Sequence, residues 1–558
     1  MKIIYFLKKN KKLILSIISC IFFKIYQIIN IIFFNKKNHD FYGGIRFLST
    51  KKNIKTLPEK IILPGDKFCI YFDVDPIGII HLKVQIGDQV YRGQELIFSK
   101  KHVVPVHAPT SGRIVDIKKS IYNNILNKYR IEIFILADGK DIGKKLFPVH
   151  NYKETSRENI IKLIYKNGIV GLGGAQFSTA RKLSIGINKG NINTLIVNGL
   201  ESEPYITADR WLIKNHISEI LKGCEILQWI LKVTHVIIAI EDNQDISIVQ
   251  IKKKLSYYSG FQLCCIKTRY PVGSSKQLIK LLTGKEIPYN KHSTDIGIIM
   301  YNIGTVYAVK RAVIEREPLI KRVVTLTGDA LKHSGNMWVR FGISIHDLLL
   351  SINFSDFKNK LVITGGPLMG SVVSDFNTPI LKHINCILIP SSIEIKRQEL
   401  ETPCIRCARC ADVCPMKLLP QQLYWYSKSV DHNKTREYKI ENCIECGICE
   451  QVCPSRIPLL NYYKQEKKML NEIDFNKKKF RESKIRFQNT QLRLNSEKKI
   501  STENISIQTD IKHIDVHTDL YMSRKNSIQE CILKTTKALR KKNIKDAIKR
   551  VKNKKNFS

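Results

Sequence analysis

Between about residues 155 and 315 the chain alternates between segments of helical periodicity and short apolar runs. Apolar residues spaced three and four apart predict helices, and apolar runs bounded by turn residues predict buried strands. The clearest helix covers residues 208–231, and the clearest strand is "NTLIVNG" at 193–199. Because helices and strands alternate, this part of the chain, with bounds 151–318, is predicted to be an α/β sheet domain.

The stretch before this domain has the pattern of a β-rich module. Residues 61–136 read as short strands separated by turn signals such as "IGDQ" and "PTSG". The pattern resembles the folded-ribbon barrel of biotinyl and lipoyl carriers, which present a lysine at a hairpin tip. Lys100 and Lys101 lie near that point, but no Met-Lys-Met surrounds them. The stretch 41–150 is therefore predicted to be a structural β barrel-sandwich module rather than a carrier.

Two further regions follow the α/β domain. Residues 319–397 show two strands, a helix and another strand, an order that suits a β-grasp-like module. From 464 to 558 the chain is rich in Lys and Asn, with no glycine after Gly447 and no proline after Pro458. This tail is predicted to be helical or disordered, with a basic end.

The N-terminal extension, residues 1–40, contains an apolar segment at 13–34 that is long enough to span a bilayer as a helix. Lys24, Gln27 and Asn30 interrupt it, which makes it a poor lipid-facing span. The segment is a possible membrane span, and the alternatives are a helix lying in the membrane interface and an artefact of the chosen start codon.

Composition and charge limit the kinds of partner. Hydrophobic residues make up 43% of the 558 residues, which is enough for several buried cores. The net charge of +43 suits an anionic membrane surface, acidic protein partners or nucleic acid. Nucleic acid is not predicted as a partner, because the basic residues form no single stripe with interleaved aromatic residues.

Cysteines give the strongest chemical signal. Eight of the 15 lie in two boxes, "CIRCARCADVCP" at 404–415 and "CIECGICEQVCP" at 443–454, which have identical spacing and are offset by 39 residues. The other seven are scattered, so the pattern is that of a metal site with a few buried thiols rather than of a disulfide framework.

The spacing C-x2-C-x2-C-x3-C-P is the run found in bacterial two-cluster ferredoxins, in which the fourth cysteine ligates the other cluster. The stretch 398–463 is therefore predicted to be a ferredoxin-like domain with two [4Fe–4S] clusters. The predicted ligands of the first cluster are Cys404, Cys407, Cys410 and Cys453, and those of the second are Cys443, Cys446, Cys449 and Cys414. The alternative, structural zinc, uses paired knuckles set well apart and fits this crowding poorly.

A glycine-rich loop opens the α/β domain. In "GIVGLGGAQFSTARKL", residues 168–183, Gln176 stands where a dinucleotide fingerprint needs glycine, and the loop follows a predicted helix rather than a strand. Closely spaced glycines before a helix can still bring backbone N–H groups against a phosphate. From spacing alone, a phosphate loop and an ordinary helix connection both remain open.

Several motifs together resemble the RnfC/RsxC family, the C subunits of the Rnf/Rsx ion-translocating electron transport complex. They extend over about residues 41 to 460 and include "FYGGI", "PVHAPTSG", "GIVGLGGA", "EPYITAD", "VYAVKRAVIEREPLI", "GGPLMG" and both cysteine boxes. The resemblance implies a multidomain α/β and α+β protein, peripheral to the cytoplasmic side of the bacterial inner membrane, with the other subunits of the complex as partners.

The middle domain is also similar to the flavin-binding, NADH-oxidising subunit of respiratory complex I. In that family a glycine loop cradles FMN, and an Asn and the glutamates of an "ESEP" stretch line the flavin and nicotinamide pocket. The resemblance implies FMN as cofactor and NADH as substrate, bound by Gly171, Gly173, Gly174, Asn198, Glu201, Glu203, Asn302 and Thr305.

The sequence departs from these patterns near the expected pocket. Gln176 and Ser178 replace a glycine and a proline, and Leu200 stands where complex I has Asp. Gln176 adds bulk beside the phosphate loop, whereas all eight cluster ligands are present.

The resemblance implies that FMN accepts hydride from NADH and passes single electrons to the clusters, a division of labour that flavin makes possible. Membrane subunits would couple the flow to movement of H⁺ or Na⁺, because this chain shows no array of membrane helices. No catalytic residue is assigned. Two alternatives remain: a soluble flavin–iron–sulfur dehydrogenase without an ion pump, and a non-catalytic ferredoxin-like relay whose flavin site has decayed.

Overall fold

The structure, a computed structural model, describes most of the chain. The described residues are 41–47, 55–74, 80–99, 104–123, 128–149, 151–242, 248–289, 291–357, 360–391 and 400–512. The apolar segment 13–34 and the candidate carrier lysines Lys100 and Lys101 lie outside them. The chain divides into two compact units, and the boundary between them lies between Lys468 and Met469.

The N-terminal module consists of two small antiparallel sheets, in the orders β1-β7-β6-β3 and β2-β4-β5. Its strands are β1 (Lys67–Val74), β2 (Ile80–Leu82), β3 (Gln89–Val90), β4 (Glu95–Ser99), β5 (Val106–His107), β6 (Gly112–Asn123) and β7 (Lys128–Ala137). The prediction of strands with turns in this stretch is confirmed, but β1, β6 and β7 are longer than predicted, with 8, 12 and 10 residues.

The middle of the chain forms a parallel sheet in the order β10-β9-β8-β11. Its strands are β8 (Thr194–Gly199), β9 (His235–Glu241), β10 (Phe261–Ile266) and β11 (Ile298–Asn302). The accompanying α-helices are α1 (Arg157–Lys166), α2 (Thr179–Lys189), α3 (Ala208–Leu231), α4 (Ile248–Leu255), α5 (Ser275–Thr283) and α6 (Ile303–Lys310). A π-helix at Arg311–Glu315 extends α6, and 3₁₀ turns lie at Tyr152–Glu154 and Ser293–Ile296.

The sequence pattern explains this arrangement. β8 and β9 are buried along nearly their whole length, as expected for central strands covered on both faces. The α/β sheet is therefore confirmed, and α3 has the bounds that its periodicity predicts.

The next stretch forms a mixed sheet of five strands in the order β13-β12-β16-β14-β15, in which β12 and β16 run parallel. Its elements are β12 (Lys321–Thr327), β13 (Gly335–Arg340), α7 (Ile345–Leu350), β14 (Ile363–Thr364), β15 (Ser371–Val372) and β16 (Cys386–Leu388). One apolar core joins this sheet to the N-terminal module, with Leu96 and Ile133 on one side and Val324 and Leu326 on the other.

An ion-pair network crosses the same junction. Nη1 and Nη2 of Arg340 each lie 2.7 Å from an oxygen of the Asp141 carboxylate, and Arg92 Nη1 lies 2.5 Å from the same carboxylate. Burial raises the pKa of Asp141, but the hydrogen bonds and charges of the two arginines outweigh burial and lower it. The carboxylate therefore remains ionised as it links the two modules.

The cysteine segment is built from short helices and loops. Its elements are α8 (Arg409–Asp412), α9 (Pro420–Lys428), α10 (His432–Glu437), a 3₁₀ turn at Ile440–Asn442, α11 (Ile448–Gln451) and the start of α12 (Leu459–Lys512). Of the two alternatives predicted for the tail, helix and disorder, the described part adopts helix, in α12.

Two helical glycines provide a test of the packing between α3 and α6. A Cβ atom on Gly223 of α3 would lie 2.3 Å from the Val306 carbonyl oxygen of α6, a backbone atom that cannot rotate away. A Cβ on Gly186 of α2 would meet only ordinary side-chain contacts at 3.5 Å or more. Alanine is favoured over glycine in a helix by about 1 kcal/mol, but overpacking costs about 1–3 kcal/mol.

We expect Gly223→Ala to lower the free energy of unfolding by roughly 1–2 kcal/mol, because the overpacking cost exceeds the helix propensity gained. Gly186→Ala, the matched control, should be neutral or stabilising. Thermal and urea denaturation followed by circular dichroism would measure both. Equal stability of Gly223→Ala and the unmodified protein would contradict this packing.

Candidate functional site

Two small cavities in the cysteine segment are each lined by four cysteines. The first is lined by Cys404, Cys407, Cys410 and Cys453, and the second by Cys414, Cys443, Cys446 and Cys449. Each cavity thus takes three thiols from one box and one from the other. The structure brings together the two quartets that the spacing predicts, and iron ligation by them stays a prediction.

Both boxes use the same backbone path. Two left-handed residues, Arg406 and Ala408 in the first box and Glu445 and Gly447 in the second, precede a one-turn helix in each case. The left-handed turns tighten the loop, so that three thiols of each box line one cavity.

The surroundings of the thiols suit a cofactor with positive charge. Burial raises the pKa of Cys410 to about 11 and that of Cys446 to about 12. The thiolate form therefore needs a cation nearby, and soft thiolate ligands in fours suit iron–sulfur clusters. Among the described residues, no group of three or more His, Cys, Asp or Glu side chains is arranged to hold a single metal ion.

The second cavity lies against the α/β domain. The Tyr270 hydroxyl donates to the Cys446 carbonyl oxygen, and Gln277 Nε2 donates to the Pro415 carbonyl oxygen at 2.8 Å. The segment 41–47 is also packed there, because a Cβ on Gly43, whose φ is +72°, would lie 2.6 Å from the Val413 carbonyl oxygen. Only glycine fits this approach, which accounts for "FYGGI" as a motif.

The glycine loop forms a tight turn between α1 and α2. The Gly171 amide donates to the Phe177 carbonyl oxygen at 2.9 Å and closes the loop, and the Leu172 amide donates to Thr305 Oγ1 at 2.9 Å. Gly173 and Gly174 are exposed, and a Cβ on Gly174 would meet nothing within 4 Å. Backbone groups at 173–174 are therefore open to a ligand, as a phosphate cradle requires.

The loop lies at the carboxyl edge of the parallel sheet. Asn198 and Asn302 are paired neighbours at the ends of β8 and β11, and a Cβ on Gly173 would lie 3.3 Å from Asn302 Cβ. Asn302 Oδ1 accepts from the Gly304 amide at 2.9 Å, and Asn198 Nδ2 donates to the Gly273 carbonyl oxygen at 2.9 Å. In open α/β sheets this edge is where ligands bind.

Glu201 and Glu203 accept hydrogen bonds from different parts of the chain. Glu201 is buried, and its carboxylate accepts from the amides of Asp209 and Arg210 at 2.8 and 3.0 Å, at the start of α3. Glu203 accepts from the amides of Leu368 and Met369 at 2.9 and 3.0 Å. Burial raises the pKa of Glu203, although both hydrogen bonds oppose the shift. Their roles in a flavin or nicotinamide pocket stay predictions.

Two cationic residues, Arg322 of β12 and Lys382 of the turn before β16, bind carbonyl oxygens of the glycine loop. Buried Arg322 donates through Nη1 to the carbonyl oxygens of Leu172 and Lys382 at 3.2 and 2.6 Å, and Lys382 Nζ donates to the Gly168 carbonyl oxygen at 2.9 Å. Two loop carbonyls are thus bound to cations. We call Arg322 and Lys382 the latch.

The structure accounts for two departures from the resembled families. Gln176, which has a positive φ, places Nε2 2.8 Å from His383 Nδ1, so its side chain bonds to the residue after the latch lysine. Ser178 is the N-cap of α2 and accepts from the Arg181 amide at 3.3 Å. Ser178 is therefore a good helix start, and the Gln176 side chain is bonded to His383 in the turn that precedes β16.

Sequence patterns did not indicate four polar residues that bond to the loop or to the β11 residues beside it: Lys182, Asp209, Arg322 and Lys382. Lys182 donates to the Met300 carbonyl oxygen of β11, and burial lowers its pKa to about 8. A lysine among the apolar positions of α2 was a usable signal for this residue. The latch residues are separated from the loop by about 150 residues or more, so no local pattern indicates them.

Three family models match the chain. The RnfC barrel sandwich hybrid domain matches residues 39–140, the Nuo51 FMN-binding domain matches 164–311, and the 4Fe-4S dicluster domain matches 403–457. Together with the glycine loop and the two cysteine cavities, they define a multidomain redox protein that joins an FMN-binding domain to a 4Fe-4S dicluster domain.

Relatives identify the family. The C subunit of the ion-translocating oxidoreductase complex from Erwinia tasmaniensis is 46% identical over 415 residues, which cover 74% of this chain and 51% of that protein. Its counterpart from Buchnera aphidicola subsp. Acyrthosiphon pisum is 44% identical over 489 residues, which cover 88% of this chain and 99% of that protein. The chain belongs to this family, the C subunits of ion-translocating oxidoreductase complexes, and it spans about half the length of the Erwinia relative.

Two further observations complete the comparison. The crystal structure of an NAD⁺-reducing [NiFe]-hydrogenase in the H₂-reduced state matches with a TM-score of 0.41 and 15% identity, covering 57% of this chain and 61% of that chain. No helix within the described ranges has both the length and the apolar character needed to cross a membrane.

The latch generates a prediction about the glycine loop. Hydrogen bonds to charged donors contribute about 1.5–3 kcal/mol, so replacing Arg322 by Leu or Lys382 by Met should loosen the loop. We expect hydrogen exchange of the two bonded loop amides, those of Gly171 and Leu172, to accelerate about tenfold or more. Lys321→Met is the matched control, because this neighbouring cation pairs with Glu59 at 3.0 Å instead. Unchanged exchange in both latch variants would show that the loop does not depend on the latch.

Proposed function

We propose that this protein is the peripheral electron-transfer subunit of a membrane-bound complex that couples oxidation–reduction to ion translocation. One observation carries the proposal: the exposed glycine cradle and the two four-cysteine cavities occur in a single compact unit. Flavin exchanges two electrons with NADH as hydride and one at a time with an iron–sulfur cluster, so the pair of sites suits NADH as substrate.

The first part of the proposal concerns the clusters. Cys404, Cys407, Cys410 and Cys453 hold one [4Fe–4S] cluster, and Cys443, Cys446, Cys449 and Cys414 hold the other. Support comes from the cavities that these quartets line and from the soft, all-sulfur donor set. The apolar lining of the second cavity, which includes Leu418, Ile448 and Tyr463, limits water and so helps to set the reduction potential.

The second part concerns FMN. The loop 171–174 contacts its phosphate through the open amides at 173 and 174, and the pocket continues along the carboxyl edge of the sheet past Asn198, Asn302 and Thr305. Glu201 and Glu203 border the pocket, although both carboxylates are bound to backbone amides. Lys182, half-buried beside β11, adds a cation to the same edge. When bound, the flavin supplies the two-electron to one-electron conversion.

The third part concerns which cysteine cavity lies closer to the flavin pocket. Asn198 bonds to Gly273, and three residues before Gly273 the Tyr270 hydroxyl bonds to Cys446. Residues of this chain thus connect the candidate flavin pocket to the second quartet through two hydrogen bonds and a short loop. We assign electron entry to the second quartet and electron exit to the first.

The remaining parts concern organisation and location. We propose domain bounds at 41–150, 151–318, 319–397, 398–463 and 464–558, with a β-grasp-like fold for 319–397 and a ferredoxin-like fold for 398–463. We place the protein on the cytoplasmic side of the bacterial inner membrane, with the other subunits of the complex and the anionic membrane surface as partners. The charge of +43 favours such a surface.

Replacing the fourth cysteine of the first box tests the shared ligation. We expect the unmodified protein to contain about eight iron atoms per chain as two cubes. Cys414→Ser should perturb the EPR signal of the cluster held by the second box, because its thiol lines that cavity. Cys265→Ser, a half-buried cysteine of β10, should leave both signals intact. Stoichiometric zinc, or a change confined to the first cluster, would contradict the assignment.

A graded pair of substitutions tests the flavin cradle. Gly173→Ala adds a methyl group 3.3 Å from Asn302 Cβ and should weaken FMN retention modestly. Gly173→Glu places a carboxylate where backbone must approach a phosphate, and it should abolish FMN retention and NADH oxidation while cluster absorbance stays unchanged. The measurement is flavin absorbance after reconstitution and gel filtration. If the unmodified protein retains no FMN, the non-catalytic relay is favoured instead.

A further inference from the structure

The two cysteine boxes have the same spacing and the same backbone turns, but their surroundings differ. In the second box, Cys446 is 7% exposed and Ile448 1% exposed. At the equivalent positions of the first box, Cys407 and Arg409 are exposed. The outer faces of the two boxes can therefore be compared position by position within one molecule.

The outer face of the second box is covered by this chain itself. Tyr270 bonds to Cys446, and a Cβ on Gly447 would lie 2.8 Å from the Leu368 carbonyl oxygen. Ile45 and Tyr270 form a backbone bridge beside it. Glycine and isoleucine at 447 and 448 suit a face that is packed against other protein.

The outer face of the first box consists of exposed residues. Ile405 is 68% exposed, whereas its counterpart Ile444 is half-buried. Ala408 and Arg409 replace the glycine and isoleucine of the covered box, and Arg406 replaces Glu445. Within the part of the chain that the structure describes, neither the Arg406 nor the Arg409 side chain forms an ion pair.

The chemistry of this face suits a protein partner with an acidic surface. Ile405 and Arg406 are exposed neighbours that line the first cysteine cavity, and the exposed Arg409 follows three residues later. Arginine beside a small apolar centre is a common composition for protein interfaces, and unpaired positive charge steers an acidic partner into contact. We name Ile405, Arg406, Ala408 and Arg409 the exit face.

We propose that the exit face is the docking surface for the next one-electron carrier, a redox protein that surrounds its own centre with acidic residues. The proposal rests on the proposed function and specifies its exit step. A reduced cluster held by the first quartet would be oxidised by one electron, and the oxidised centre of the partner would be reduced by one electron. No bond forms or breaks in this step, and no proton moves.

A charge-reversal experiment in the complete complex tests the proposal. In the complex purified with its partner subunits, Arg406→Glu/Arg409→Glu should slow reduction of the partner's redox centre by NADH about tenfold or more at low salt. The difference should shrink at high salt, because screening removes steering. Lys285→Glu/Lys291→Glu is the control with the same change of charge on exposed residues elsewhere. If cluster EPR signals are lost in the glutamate variant, Arg406→Gln/Arg409→Gln takes its place, with a smaller effect expected.

A photo-crosslinker gives a readout that does not depend on activity. With p-benzoylphenylalanine at position 405, we expect a crosslink to an acidic segment of a redox subunit of the complex, mapped by mass spectrometry. The same group at position 444, the matched site of the covered box, should give crosslinks only within this chain. Crosslinks from 405 to lipid, or to no partner, would overturn the proposal, as would a rate and salt dependence unchanged by the arginine variants.

Reduction of an uncharged soluble dye by NADH separates this proposal from the proposed function. Arg409→Glu, a substitution outside the lining of the first cysteine cavity, should leave the rate of dye reduction at that of the unmodified protein. If the unmodified protein cannot reduce the dye, the flavin and NADH role fails, whereas the crosslinking result still decides where the partner docks.

Discussion

Each cysteine box supplies one thiol to the cavity of the other box, and the fold of the cysteine segment depends on this exchange. Neither four-cysteine cavity can be completed by a single box, because Cys453 lines the first cavity and Cys414 the second. Residues 416–442 must therefore return the chain to its starting point, and they do so through α9 and α10. Since metal binding is linked to the folding of its ligands, the two cavities are expected to form together rather than one after the other.

This constraint is symmetric, and the asymmetry of the site comes from residues that are not ligands. The same ligand spacing produces a covered cavity where glycine and isoleucine follow Cys446 and an open cavity where alanine and arginine follow Cys407. A carrier that accepts electrons from one side and delivers them to another needs such a difference. The packing of "FYGGI" and Tyr270 onto the second box covers one face, whereas the corresponding residues of the first box are exposed.

Features whose signal lies within a short stretch of sequence could be predicted, and features that depend on distant pairs could not. The quartets followed from spacing, and α3 and β8 followed from the periodicity of their own residues. The latch could not be found in this way, because Arg322 meets Leu172 across 150 residues of chain. The bond between Gln176 and His383 spans 207 residues, so sequence alone indicated a bulky residue beside the cradle but not where its side chain goes. The shared core of the N-terminal module and the mixed sheet is likewise a product of tertiary packing.

The latch also connects the charge of the site with its stability. Burial lowers the pKa of Arg322 to about 10, partly offset by Asp209 and Glu201, and it lowers that of Lys382 from 10.5 to about 8. Between pH 8 and 10.5 Lys382 is protonated in the unfolded chain and largely deprotonated in the folded one. The contribution of this residue to the free energy of unfolding therefore rises with pH across that range. Below pH 8 the folded protein therefore holds positive charge behind the glycine loop at a cost in stability. An anion bound at the open side of the loop would offset this cost and raise the pKa of Lys382, and by reciprocity the charged latch would favour binding of the anion.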